Sequence, residues 1–183
     1  MSIDENRLNQ IRPDGRKYDP ATIWLHWITV GLILPLWIIG QTADWFPQPA
    51  RMPIWSVHVL LGFAIALILL TRIAWRANFG RSLPPVDIGL LNWVARLTHW
   101  ALYFLIGAVV FLGILDASYR GFSIFGIWSI PQFGTDDPAI RRSITGWHGL
   151  AANALVAIAA VHAAAALVHQ YVFRDRLLTR MRP

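Results

Sequence analysis

Apolar residues run along this chain in four long blocks, separated by shorter connections that carry its charge. The blocks cover about residues 23–42, 54–73, 97–115 and 144–173. Their cores, Ile23–Gly40, Ile54–Thr71, Leu97–Leu115 and Ile144–Phe173, contain no Asp, Glu, Lys or Arg. A helix rises about 1.5 Å per residue, so roughly 20 apolar residues cross the hydrocarbon of a bilayer with every backbone hydrogen bond satisfied internally. The pattern predicts an all-α protein: an integral membrane four-helix bundle forming a single domain over residues 1–183. Pro35 lies inside the first span and predicts a kink, which a membrane helix tolerates. Met1–Ala21 is polar and mixed in charge, and no small-residue cleavage site follows the first span. That span reads as a retained helix rather than a signal peptide.

The basic residues give an orientation. Arg7, Arg12, Arg16 and Lys17 precede the first span, Arg72, Arg76, Arg81 and Arg96 flank the second connection, and Arg174, Arg176, Arg180 and Arg182 follow the fourth span. These segments share one side and hold twelve of the sixteen basic residues. The other side has Arg51, Arg120, Arg141 and Arg142. The positive-inside rule therefore places both termini of this multi-pass protein in the cytoplasm. Trp24, Trp27, Trp75, Trp93 and Trp100 fall near one interface, and Trp45, Trp55, Trp128 and Trp147 near the other. The net charge of +6 is thus topological, which argues against nucleic acid as a partner. Between Ala117 and Arg142 the stretch GFSIFGIWSIPQFG is too short and broken to span. It predicts an interfacial loop on the outer side, either a lid on the bundle or part of a substrate entrance.

The chain has no cysteine, which excludes disulfides, thiolate metal sites and covalently attached c-type haem. It has six histidines, all in or beside the spans. An imidazole in lipid is unfavourable unless something binds it. By depth, His58 and His148 belong to the outer side, and His26, His99, His162 and His169 to the inner half. His162 follows His148 by fourteen residues, about 21 Å along a helix and on nearly the same face. Two facing imidazoles suit haem iron, which takes two axial ligands, whereas zinc wants further ligands that the outer layer lacks. Ala152, Ala159, Ala166 and Gly62 beside the histidines are small enough for close helix packing or for a porphyrin plane.

The stretches YDPATIWLHW (Tyr18–Trp27) and HAAAALVHQYVFRDRLLTRMRP (His162–Pro183), with H-x-x-x-G in the second span and WHG opening the fourth, resemble the bacterial cytochrome b561 family. The resemblance covers nearly the whole chain and implies a small four-helix, di-haem, quinone-linked protein. Carried onto matching positions, it implies two haem b groups, with His26 and His162 as axial ligands of the inner iron and His58 and His148 of the outer. It is the resemblance that chooses His162 over His99 or His169. It also implies that His99 and His169 lie where quinone binds.

The leading expectation is a superoxide:quinone oxidoreductase that oxidises superoxide at the periplasmic side and delivers electrons to ubiquinone. Bis-histidine ligation, which leaves no open iron position, suits electron transfer. Arg141 and Arg142, with Arg51 and Arg120, could attract the superoxide anion, or simply pair with Asp44, Asp116, Asp136 or Asp137. Its partners are then superoxide, quinone and lipid, with no obligate protein partner. The alternative is a cytochrome b subunit relaying electrons from a partner dehydrogenase or hydrogenase to quinone. A histidine-lined metal transporter would want acidic or polar residues along the spans, where the reading finds none.

Overall fold

The computed structural model describes residues 17–85, 89–135 and 137–183. Arg7, Arg12, Arg16 and Asp136 lie outside them. Four helices are long and apolar enough to cross a membrane: α1 Pro20–Thr42, α2 Gln48–Asn78, α3 Leu90–Tyr119 and α4 Pro138–Val168. Consecutive helices pack on one another, and α4 returns to α1, closing a four-helix ring. Each helix is longer than its apolar block, because hydropathy registers only the part in lipid. The additional turns, such as Arg72–Asn78 and Pro138–Ser143, carry the polar residues that meet the interface. α1 runs unbroken through Pro35.

Local chemistry sets the ends. Asp19 caps α1, accepting from the Thr22 N–H (2.9 Å) and hydroxyl (2.7 Å), and Pro20 occupies the first turn, where its missing N–H costs nothing. Asp137 and Pro138 begin α4 in the same way, with Asp137 accepting from the Ala139 N–H. Gly89 starts α3 at φ 63°, a conformation that favours glycine. At its far end α4 does not stop as a plain α-helix. It widens into a π-helical turn, His169–Phe173, and ends at Arg174 in the left-handed region.

The core is small for the length of chain. Ile65, Leu69, Ile106 and Leu155 are buried at the bundle centre, with Leu36, Leu102 and Val109 packed around them. Leu67, Leu70, Phe104, Phe111 and Val161 lie on the outside, each about two-thirds exposed to the surrounding phase. With lipid as that phase, helix association rests on packing and hydrogen bonds rather than on expulsion of water. One such bond departs from the expectation that no polar residue lies along the spans. Asn153 on α4 accepts from Trp37 Nε1 (2.8 Å) and Gln41 Nε2 (3.2 Å), joining α4 to α1.

The two ends are closed differently. At the end where the termini meet, termed inner below, the Tyr18 N–H donates to the Arg180 carbonyl (3.0 Å) and Trp27 Nε1 to the Met181 carbonyl (2.7 Å). Arg180, 9% exposed, reaches the Pro84 carbonyl at 2.8 Å. At the opposite, outer end a two-stranded hairpin, β1 Ser123–Ile124 and β2 Trp128–Ser129, folds over the bundle. Fully buried Ser56 of α2 accepts from the Phe125 N–H (2.9 Å), and Ile124, Ile130 and Ala117 bury together against Val59. The loop is thus a cap fastened to α2.

Asp19 also accepts from Trp75 Nε1 (2.8 Å) and the Arg81 N–H (3.1 Å), joining α1 to the end of α2. Burial acts to raise its pKa, but these bonds and those from Thr22 outweigh it and hold the carboxyl well below the usual range. A depressed folded pKa means that its stabilisation is fully present above the unfolded value of about 3.9 and is lost only as pH falls through the lower folded value. Asp19→Ala should therefore cost about 1–2 kcal/mol of stability, with an unchanged deficit between pH 5 and 8, as measured by melting in detergent.

Candidate functional site

The histidines collect at two levels. At the outer level His58 of α2 faces His148 of α4, ring centroids 6.1 Å apart and planes inclined by 73°. His148 Nδ1 lies 3.1 Å from the Val109 carbonyl. Because a carbonyl can only accept, Nδ1 carries the proton and Nε2 keeps its lone pair, the state a metal ligand needs. His58 has the Leu36 carbonyl as a polar neighbour, yet its buried Nδ1 completes no hydrogen bond.

Glycines give these rings their place. A methyl group added at Gly113 of α3 would sit 3.1 Å from His148 Cε1 and 3.4 Å from its Nδ1, so only glycine fits without moving the ring. One at Gly40 of α1 would meet His58 Cε1 at 3.7 Å, which is ordinary contact. Gly62, one turn from His58, opens on free space. The reading of the sequence singled out Gly62 and passed over Gly113, whose role appears only once α3 and α4 are side by side.

At the inner level the arrangement is less symmetrical. His162 of α4 packs edge-on against His99 of α3, centroids 5.2 Å apart. His26 of α1 lies within electrostatic reach of both and of Arg72. His99 has the Ala95 carbonyl, one turn earlier in its own helix, as a polar neighbour. Arg72 donates to Thr29 Oγ1 (3.1 Å) and stands over the Tyr103 ring (5.2 Å), joining α1, α2 and α3 beside these histidines. Among the described residues no three His, Asp or Glu side chains converge as a metal cluster.

His169 stands apart from that group, in the π-helical turn. Its Nδ1 lies 2.5 Å from Asp175 Oδ2, and its ring packs on Phe173. The sequence reading gave Asp175 no role.

A shallow groove lined by Arg120, Arg141, Arg142, Thr145 and Gly146 opens at the outer end. Thr145 is one turn from His148 on α4, which places the groove at the same end of the helix as the outer pair. Arg120 is paired with Asp116 (3.0 Å) and donates to Thr145 Oγ1 (2.7 Å), which in turn donates to Asp116 (2.9 Å). Three of the four outer arginines thus meet in one place. Arg51 does not join them, and its Nε donates to the Phe46 carbonyl.

Two imidazole nitrogens on one metal, each at about 2.0–2.1 Å, place the ring centroids roughly 6 Å apart. His58 and His148 stand at that spacing, with lone pairs and no carboxylate or thiolate between them. This donor set fits the iron of a non-covalent haem. The whole described chain agrees: the family model for prokaryotic cytochrome b561 matches residues 17–183. The chain belongs to the prokaryotic cytochrome b561 family. Similar proteins include the probable superoxide oxidase CybB of Yersinia pestis, 28% identical over 92% of this chain and 97% of its own length. Cytochrome b562 of Cereibacter sphaeroides is 32% identical over 90% of this chain and 94% of its own. Cytochrome b561 homolog 1 of Escherichia coli is 27% identical over 91% and 97%. The chain is thus a b-type haem protein of membrane electron transport, multi-pass in the bacterial inner membrane.

The fit at Gly113 is testable in this cytochrome b561. Gly113→Val should displace His148 and lower the haem content of the purified protein. Gly107→Val, where the added group meets open space, should leave it unchanged. Pyridine haemochrome assay of both variants makes the comparison.

Proposed function

We propose that this chain is a di-haem superoxide:ubiquinone oxidoreductase with both termini in the cytoplasm. The single observation that carries this reading is the outer histidine pair with the groove of Arg120, Arg141 and Arg142 one helical turn away along α4. Superoxide is a small anion, and clustered guanidinium groups raise its local concentration. Haem b supplies a one-electron carrier at each level when bound.

His58 and His148 would hold the outer haem iron, with Val109 fixing the tautomer of His148. His26 and His162 would hold the inner iron. That pairing rests on the family resemblance, since the ring in contact with His162 is that of His99. The 5.2 Å separation of His99 and His162 is shorter than the roughly 6 Å of a ligand pair and describes edge-on packing. His99 and His169 remain for ubiquinone, where an imidazole can bond a carbonyl oxygen and pass a proton near neutral pH. Arg72 would hold positive charge beside them. Oxidation of two superoxide ions to O2 supplies the two electrons that, with two protons, convert quinone to quinol.

A second reading, a cytochrome b subunit serving a partner dehydrogenase or hydrogenase, uses the same histidines. The exposed tip of the outer hairpin, with Phe125, Ile127 and Trp128, is an observation in its favour.

The purified chain alone should be reduced rapidly by superoxide and, with a ubiquinone analogue present, turn over continuously. Reduction that requires a second protein would establish the subunit reading instead. It should contain two acid-acetone-extractable haems. Replacement of His58 or His148 by Ala should remove the outer one, and of His26 or His162 the inner, as followed by redox titration. Loss of the inner haem in His99→Ala but not in His26→Ala would reassign that ligand. In the pairing proposed, His99→Ala and His169→Ala keep both haems and their reduction by superoxide but lose most quinone turnover.

A further inference from the structure

None of the residues in the π-helical turn that ends α4 belongs to the buried core. Its geometry sets up a polar contact. Arg174 and Arg176 both adopt left-handed backbone, at φ 59° and 60°, a conformation unfavourable for an L-residue. Between them stands Asp175. Its N–H donates to the His169 carbonyl (3.2 Å), its Oδ1 accepts from the Leu177 N–H (3.1 Å), and its Oδ2 lies 2.5 Å from His169 Nδ1. The backbone strain and the widened turn both bring one carboxylate onto one imidazole. Beside the pair, Gln170 Oε1 is buried without a hydrogen-bond partner. The His169 and Asp175 side chains are 13% and 20% exposed, so the pair is mostly covered but not sealed off at the inner end.

Reduction of a quinone consumes two protons as well as two electrons. On the reading that quinone binds at His99 and His169, the electrons come from two superoxide ions, each leaving as O2, and the protons from water at the inner end. The geometry points to Asp175 as the positioning residue of this site: its carboxylate holds the His169 proton on Nδ1 and stabilises the ring when it takes up a second proton and delivers it to a quinone oxygen. A carboxylate behind a histidine fixes tautomer and orientation and favours the imidazolium without itself being protonated. After each delivery His169 is neutral again and is reprotonated from water. Asp175 changes no bond and acts only through His169. The Leu177 N–H, bonded to the other carboxylate oxygen, holds the group in this orientation.

The test uses the full chain with its haem bound. Asp175→Asn keeps the size of the side chain and an oxygen for Nδ1–H, and removes the charge. It should retain wild-type haem content, optical spectrum and rate of haem reduction by superoxide. Its kcat for a ubiquinone analogue should fall at least about tenfold, short of the roughly hundredfold or more expected for outright loss of general acid–base assistance, with KM little changed. Asp175→Glu should recover much of the loss. Wild-type turnover in Asp175→Asn overturns the proposal. So does loss of haem together with turnover in both variants, which would make the carboxylate a brace for the fold. Reoxidation of chemically reduced protein by the same quinone gives the comparison without superoxide. Should superoxide fail as donor while quinone still reoxidises the wild type, the functional reading fails and the role of Asp175 is judged on its own.

Discussion

A neutral imidazole presents one hydrogen-bond donor and one acceptor, and a lipid chain can meet neither. Six such rings in so small a bundle are the constraint around which its interior is arranged. A helix hydrogen-bonds its own backbone, so spare carbonyls are scarce, and the rings must turn inward to find what there is. His148 takes the Val109 carbonyl from the neighbouring helix, and His169 takes a carboxylate. Satisfying one nitrogen in this way fixes the proton and leaves the other nitrogen as a base. The requirement that makes histidine costly in lipid is therefore the one that prepares it as a ligand.

Glycine and asparagine complete the arrangement. Without a side chain at Gly113, α3 can come within contact of the His148 ring, and Asn153 holds α4 against α1 through Trp37 and Gln41. With only four buried apolar residues at the centre, these polar ties carry a large share of helix registration. Burial of apolar surface distinguishes poorly between lipid and protein, whereas a hydrogen bond in hydrocarbon has few alternatives.

The four helices were plain in the sequence, because a run of twenty apolar residues has one structural solution in a bilayer. The depth of each histidine was also legible, since depth depends only on distance along a helix. His58 and His148 were matched in this way and stand face to face. Depth does not tell which ring points at which neighbour. At the inner level His99 and His162 make the ring contact, and His26 is their electrostatic neighbour. Asp175 was invisible for another reason: its meeting with His169 depends on a π-helical turn and two left-handed arginines, which no periodicity announces. The outer loop, read as lid or entrance, is a hairpin fastened through Ser56, and the groove lined by arginines opens alongside. Arg120 proved to be paired with Asp116, while Arg51 is tied to the Phe46 carbonyl.

The bonds from Tyr18 and Trp27 to Arg180 and Met181 have a bearing on biogenesis. Their partners lie some 150 residues apart in the chain, beyond all four membrane crossings. During synthesis the bundle can enter the bilayer and pair its outer histidines while this latch is still missing. Closure of the inner face must then follow the fourth crossing, and until residues 177–181 settle across the helix ends the inner level lacks these two long-range bonds.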